Sequence, residues 1–398
     1  MDNPIRSPLF SQRAQQLTSS TIREILKVTE RPEVISFAGG LPSPKGFPIE
    51  AINAAFDHVL RNNGAAALQY GPTEGYAPLR EWVAQHMRDG GAEVDADEVL
   101  IVSGSQQALD LLGKLYVDPG VKLLVEDPSY LGALQSFSLF EPSYQPVPSD
   151  ELGMQPEGLT DECTAGARFA YVQPNFQNPT GRTMDNARRE TLMRRCAELG
   201  LPVIEDDPYG ELRYAGEPRR SLLSLGRAVG ATVIRLGSFS KVLAPGLRLG
   251  YVVAPREVIA KLVQIKQATD LQTATLTQMA VYEVLRSGLL DRHLPEVREL
   301  YKAQCAYMLE ALEEFFPTDA QWTRPDGGMF IWVTLPEGID TTALLARAVE
   351  RNVAFVPGAS FFAGPSPRRN TLRLSFVTVS RDKIRSGVQT LAELIQTA

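Results

Sequence analysis

Between residues 99 and 253 the chain keeps returning to one pattern, and that pattern restricts the possible folds more than anything else in it. Short apolar runs at 99–102, 122–125, 169–172, 201–204, 233–236 and 251–253 are separated by turns and by stretches of helical periodicity such as 108–116. Apolar runs this short, bounded by Gly, Pro and Ser, read as strands buried on both faces. Strands that alternate with helices imply a largely parallel sheet with helices packed on each side. In such sheets ligands collect beyond the carboxyl ends of the strands. The residues that follow each run are therefore the first place to look for chemistry.

Run 233–236 leads into Gly237, Ser238, Phe239, Ser240 and Lys241, then a Pro245-Gly246 bend, Arg248 and Gly250. A lysine so placed can form a Schiff base with a carbonyl cofactor, while Ser238, Ser240 and Arg248 suit a phosphate beside it. Run 201–204 is followed by Asp206, Asp207, Pro208 and Tyr209. Run 169–172 breaks into Gln173, Pro174, Asn175 and then Asn178-Pro179-Thr180-Gly181. Run 99–102 opens into Ser103, Gly104, Ser105 and Gln106 ahead of a helix, whose N-terminal N–H groups favour an anion. Taken singly, each has an ordinary structural explanation. Ser240-Lys241 makes a surface turn, Asp206 caps a helix, Tyr209 fills core, and Asn178-Pro179 is a good bend. Taken together they match pyridoxal phosphate part by part: carboxylate for the ring nitrogen, amide and phenol for the ring oxygen, lysine for the aldehyde.

Composition removes several other classes. The formal net charge is -7 and no long basic run occurs, so nucleic-acid binding has no electrostatic support. Cys163, Cys196 and Cys305 are widely spaced and form no CxxC pair, which suggests neither a disulfide framework nor a zinc site. His58, His86 and His293 lie in helical-looking segments without a partner at ligand spacing, against both metal catalysis and a Ser-His-Asp triad. The opening Met1-Asp2-Asn3-Pro4 lacks an apolar stretch and no 18-residue apolar run follows. A cytoplasmic protein is the expectation.

Three regions are expected. Residues 1–48 form an N-terminal arm and helix joining a small domain, with Thr21 to Glu24 as a capping box. Residues 49–290 form a large domain with helices at 49–61 and 77–87. Residues 291–398 form the small α/β domain, with a long amphipathic helix over 297–315 and strands at 328–334, 353–356 and 372–376.

With those motifs in view, the chain resembles the fold-type I pyridoxal-phosphate aminotransferases of class I/II, and within them the 2-aminoadipate (LysN-type) and kynurenine/aminoadipate branch. The lysine loop, Asn178-Pro179-Thr180-Gly181 and Asp206 to Tyr209 carry the superfamily resemblance. Ser20 to Glu24, Phe37-Ala38-Gly39-Gly40 and Gln69 to Gly75 carry the branch. It implies that fold: a large domain with a mostly parallel sheet between helices, plus a small α/β domain. It further implies pyridoxal 5'-phosphate as cofactor. Gly104, Ser105, Gln106, Ser238, Ser240 and Arg248 would hold its phosphate loop, Tyr130 would stack on the ring, and Asp206, Pro208, Tyr209 and Asn178 would border it. Lys241, Asp206 and Tyr209 would be catalytic. Arg373 would clamp the substrate α-carboxylate, with Gly39, Gly40 and Asn178 lining the substrate. Tyr70 would reach the neighbouring subunit's site in a homodimer, and Arg23 would read the substrate side chain.

The implied reaction is ping-pong transfer of an amino group from an L-amino acid of 2-aminoadipate, glutamate, leucine or aromatic type to a 2-oxo acid, with 2-oxoglutarate as the expected acceptor. Two alternatives stand beside it. One is a lyase, decarboxylase or racemase on the same fold, which would not stop at the pyridoxamine form when given glutamate alone. The other is the effector half of a transcription regulator, and about 20 residues before the first motif leave little room for a winged helix.

Overall fold

The computed structural model describes residues 9–16 and 31–397. In chain order its strands are β1 (Ile35–Ser36), β2 (Val99–Val102), β3 (Lys122–Glu126), β4 (Ser143–Val147), β5 (Ser149–Asp150), β6 (Gly153–Met154), β7 (Ala167–Val172), β8 (Val203–Asp206), β9 (Val233–Ser238) and β10 (Gly250–Val253). The remainder are β11 (Gln321–Trp322), β12 (Phe330–Thr334), β13 (Val353–Ala354), β14 (Val356–Pro357) and β15 (Thr371–Ser375).

The main sheet has the order β2-β10-β9-β8-β7-β3-β4. Its strands run parallel except β10, which is antiparallel to both β2 and β9. A parallel return needs a crossover element of a dozen or more residues. The 239–249 connection holds only a short helical turn, Pro245–Leu247, so β10 folds straight back on β9. That tight return keeps the Lys241 loop at the carboxyl end of β9. Alternate side chains of one strand enter different cores: Ala170 and Val172 pack on one side, Phe169 and Tyr171 on the other.

A second sheet, β11-β12-β15-β14, is wholly antiparallel. It shares a core with helices Leu289–Phe315, Thr341–Glu350 and Arg381–Ile395. β1 pairs in parallel with β13, Ile35 opposite Val353.

Several expected boundaries move for local reasons. The strand expected at 201–204 starts at Val203, because Pro202 has no N–H for a ladder. It runs on to Asp206, which places that carboxylate in register opposite Leu236 of β9. The strand expected over 353–356 is two strands: β13 pairs with β1, and past Phe355 β14 pairs with β15. The helix expected over 49–61 continues to Ala67, with Asn63 out of helical geometry. The one expected over 297–315 begins at Leu289 and passes through Pro295. β4 carries Pro146 and pairs only with β3, so it is an edge strand whose sequence hides it. The capping box expected at Thr21 to Glu24 lies outside the described residues.

Candidate active site

Asp206 ends β8 almost wholly buried. Tyr171 of β7 and Gln173 just beyond it alternate to the same side of the strand and reach its carboxylate. Tyr171 Oη donates to Oδ2 at 2.5 Å and Gln173 Nε2 donates to the same oxygen at 3.0 Å. Oδ1 is buried and has no partner. Burial pushes the Asp206 carboxyl up to about 6, while the donors Tyr171 and Gln173 pull the other way. Asp207 turns to other partners. Its Oδ2 accepts from Arg235 at 2.7 Å and from Asn175 at 2.9 Å, and Arg235 also grips Glu205 at 2.6 Å. The two adjacent carboxylates therefore do different jobs: Asp207 is engaged by a cation, and Asp206 is not.

Lys241 sits in the loop after β9, and its amine donates to the Gly40 carbonyl at 2.8 Å. Burial, then the nearby Arg373 and Arg248 charges, lower its pKa to about 8. The amine lies 6.0 Å from the centre of the Tyr209 ring. Tyr209 is buried with its ring edge to Phe330, and it hydrogen-bonds Asn178. Burial raises the Tyr209 phenol well above its ordinary range and the Tyr130 phenol to about 12, so both hydroxyls stay protonated at neutral pH.

Arg373 comes from β15 and is fully buried. Its Nη1 donates to Asn178 Oδ1 at 2.8 Å and its Nη2 to the Ala38 carbonyl at 2.6 Å. Its Nε has no partner. The guanidinium carbon lies 4.4 Å from the centre of the Phe330 ring and 5.4 Å from that of Phe361. None of these partners is a carboxylate, and burial lowers its pKa to about 10. A buried cation without a counter-ion is costly unless something else supplies one.

At the other end, helix Ser105–Tyr116 begins after Gly104, whose φ is +85°. A Cβ at Gly104 would lie 2.8 Å from Arg248 Nη2, so only glycine lets that guanidinium sit against the helix start. Arg248 donates to the Ser103 carbonyl at 3.4 Å, and the Ser240 N–H donates to Ser238 Oγ at 3.2 Å. The Gln106 amide donates to the Gly132 carbonyl at 3.3 Å. The donor set fits pyridoxal phosphate: helix N–H groups, serine hydroxyls and Arg248 suit a phosphate, the Lys241 amine suits an aldehyde, and the unpartnered Asp206 oxygen suits a protonated ring nitrogen.

Gly39, Gly40, Pro208 and Tyr130 are half-buried around this cluster. Tyr70 does not join it within one chain, for it is 77% exposed. Arg23 lies outside the described residues. The sequence reading missed Tyr171, Gln173, Phe330, Phe361 and the Ala38 carbonyl. A signal for the first two existed: a phenol and an amide two positions apart at a strand end, on one face. No helix among the described residues is long and apolar enough to cross a membrane.

Residues 33–391 match the family described as aminotransferase class I and II. The 2-aminoadipate transaminase of Thermus thermophilus is 48% identical over 393 residues, covering 98% of this chain and 97% of that one. Aromatic-amino-acid aminotransferase 1 of Thermococcus litoralis is 44% identical over 394 residues, covering 97% and 94%. Among solved structures, the Pyrococcus horikoshii kynurenine aminotransferase superposes with a TM-score of 0.93 at 44% identity, covering 98% and 97%. The α-aminoadipate aminotransferase LysN of Thermus thermophilus, complexed with N-(5'-phosphopyridoxyl)-L-leucine, gives 0.90 at 46% identity with the same coverage.

Proposed function

That the chain belongs to the class I and II aminotransferases is the premise from which we infer what its residues do. It is a pyridoxal-phosphate-dependent transaminase of fold type I, exchanging an amino group between an amino acid and a 2-oxo acid. When bound, the cofactor supplies an aldehyde that carries the amino group and a ring that accepts the electron pair released at the substrate Cα. Asp206 offers Oδ1 to the ring N–H, and its charge favours the protonated ring. Tyr209 and Asn178 hydrogen-bond the ring oxygen, and Tyr130 covers the ring. Ser105, Ser238, Ser240, Arg248 and the helix start hold the phosphate. Lys241 would hold the aldehyde of the resting cofactor, and its amine would move the proton at the substrate Cα. Arg373 receives the α-carboxylate, and Gly39 and Gly40 let the substrate lie close to backbone.

The observation that carries this reading is the uncompensated charge of the site. Buried Arg373 has no carboxylate and buried Asp206 has no cation within ion-pair distance among the described residues. A substrate carboxylate and a protonated ring nitrogen complete them. Half-reactions with a panel of amino acids, followed by the cofactor's absorbance, test it. A transaminase stops after one half-reaction when no oxo acid is present. Continuing release of product from glutamate alone would indicate a lyase or decarboxylase instead.

Arg373→Lys keeps the charge but loses the fork, so KM should rise by about tenfold to a hundredfold for every amino and oxo acid alike. Steady-state kinetics on one acidic and one apolar donor check this. The donor itself belongs to the 2-aminoadipate, glutamate, leucine or aromatic group, with 2-oxoglutarate as acceptor. Arg23 is the proposed reader of the donor side chain. Arg23→Ala should raise KM for glutamate and 2-aminoadipate roughly tenfold or more, the worth of a charge-assisted hydrogen bond, and leave leucine nearly unchanged. Equal effects on glutamate and leucine would remove it from that role.

We also infer a homodimer. Leu68, Tyr70 and Leu271 are exposed, and the Gly71 N–H donates to the Gln272 side chain, which brings the two segments that carry them together. A second copy covering these apolar groups would bring Tyr70 to the neighbouring phosphate. Sedimentation equilibrium decides the assembly.

A further inference from the structure

We propose that Tyr171, together with Gln173, is a positioning residue that keeps the proton shared by Asp206 and the cofactor ring on the ring nitrogen. The proposal rests on the reading that Asp206 faces that nitrogen. Both donors converge on Oδ2, at 2.5 and 3.0 Å, and none reaches Oδ1. The carboxylate cannot turn without breaking both bonds, so Oδ1 is the oxygen presented. The donor identities are fixed by their own surroundings. Gln173 Oε1 accepts the Asn178 N–H at 3.0 Å, which leaves its Nε2 to point at Asp206. Tyr171 is wholly buried, and burial beside Asp206 holds its phenol protonated and donating.

Each donor stabilises the anionic carboxylate and makes it a poorer base. The groups acting against them are burial itself and Asp207, the latter offset by Arg235; the Tyr130 phenol also lies within electrostatic reach. Remove the Tyr171 hydroxyl and the carboxylate becomes more basic, so the shared proton moves from the ring nitrogen toward Oδ1. The ring then withdraws electrons less well. Substrate binding through Arg373 does not involve this bond.

Tyr171→Phe is the direct test, because the ring still packs against Phe137, whose centre lies 6.0 Å away. The enzyme is loaded with cofactor labelled with nitrogen-15 in the ring and examined by NMR at pH 7.5. In the variant the ring-nitrogen signal should move toward the unprotonated position. Its kcat should fall about tenfold, the worth of one hydrogen bond to a charged group, with KM for the amino donor within about twofold. A signal and kcat unchanged from the parent enzyme would overturn the proposal. Should Tyr171→Phe not fold, Gln173→Met removes the other donor and must move the signal the same way; if it does not, the proposal fails. Asp206→Asn run in parallel separates the two readings. If that variant leaves the ring signal unmoved, Asp206 is not the ring's partner. If it moves the signal and Tyr171→Phe does not, only the role of Tyr171 is lost.

Discussion

Lys241→Ala should fold, bind pyridoxal phosphate, and lose turnover by roughly two to four orders of magnitude, the span of general acid–base catalysis. Binding should survive because the proposed phosphate contacts come from elsewhere: the start of helix Ser105–Tyr116, Ser238, Ser240 and Arg248. What goes is the one amine in the cluster. Its pKa, lowered to about 8 by burial and by Arg373 and Arg248, is close to the pH at which it must both take and give a proton. An ammonium at its ordinary value would hold its proton too tightly to act as a base. The measurement is single-turnover kinetics with glutamate, alongside borohydride treatment and peptide mapping. Borohydride should fix the cofactor covalently on residue 241 of the parent enzyme and nowhere in the variant. Near-normal turnover in Lys241→Ala would remove the lysine from its role.

The sequence carries most of this site because its residues lie just past strand ends, where short motifs survive intact. Lys241, Asp206, Tyr209 and Asn178 come together because β7, β8 and β9 are neighbours in the sheet. Less legible are roles that depend on which way a side chain faces. Asp206 and Asp207 are chemically identical neighbours, and only the strand's alternation sends one to Tyr171 and the other to Arg235. Tyr171 and Gln173 share a strand face in the sequence, but that both reach Asp206 shows only in the fold. Arg373 reads as an ordinary strand arginine, for its lack of a counter-ion is a property of the folded surroundings. The antiparallel β10 and the division of 353–356 between two sheets arise from connection length and pairing partners, which local apolar patterning does not encode. Tyr70 is exposed in a single chain, and its proposed role requires surroundings that a second copy supplies.

Asp206→Asn should separate catalysis from stability in opposite directions. Without the anion, the ring nitrogen has nothing to hold its proton, and turnover should fall at least about a hundredfold to a thousandfold, as when a preorganised electrostatic partner is removed. Stability of the cofactor-free protein should respond differently. Burial holds the Asp206 carboxyl at about 6, above its ordinary 3.8, so the folded state binds the proton more tightly than the unfolded chain does. Stability therefore falls as pH rises from about 4 through 6, and the full cost remains above that. A shift of this size corresponds to about 3 kcal/mol. Asparagine carries no such charge, although its amide leaves a buried N–H unpaired at a cost that does not change with pH. The difference in unfolding free energy between variant and parent should thus move in the variant's favour by up to about 3 kcal/mol between pH 4 and 7.5. Urea melts of both cofactor-free proteins at the two pH values measure it. Loading cofactor should reverse the order, because the protonated ring supplies the parent's missing cation and offers the asparagine nothing equivalent. A difference between the cofactor-free proteins that stays flat with pH would mean that the Asp206 carboxyl titrates at its ordinary value. The buried, unpaired oxygen would then not be the charged group on which this site depends.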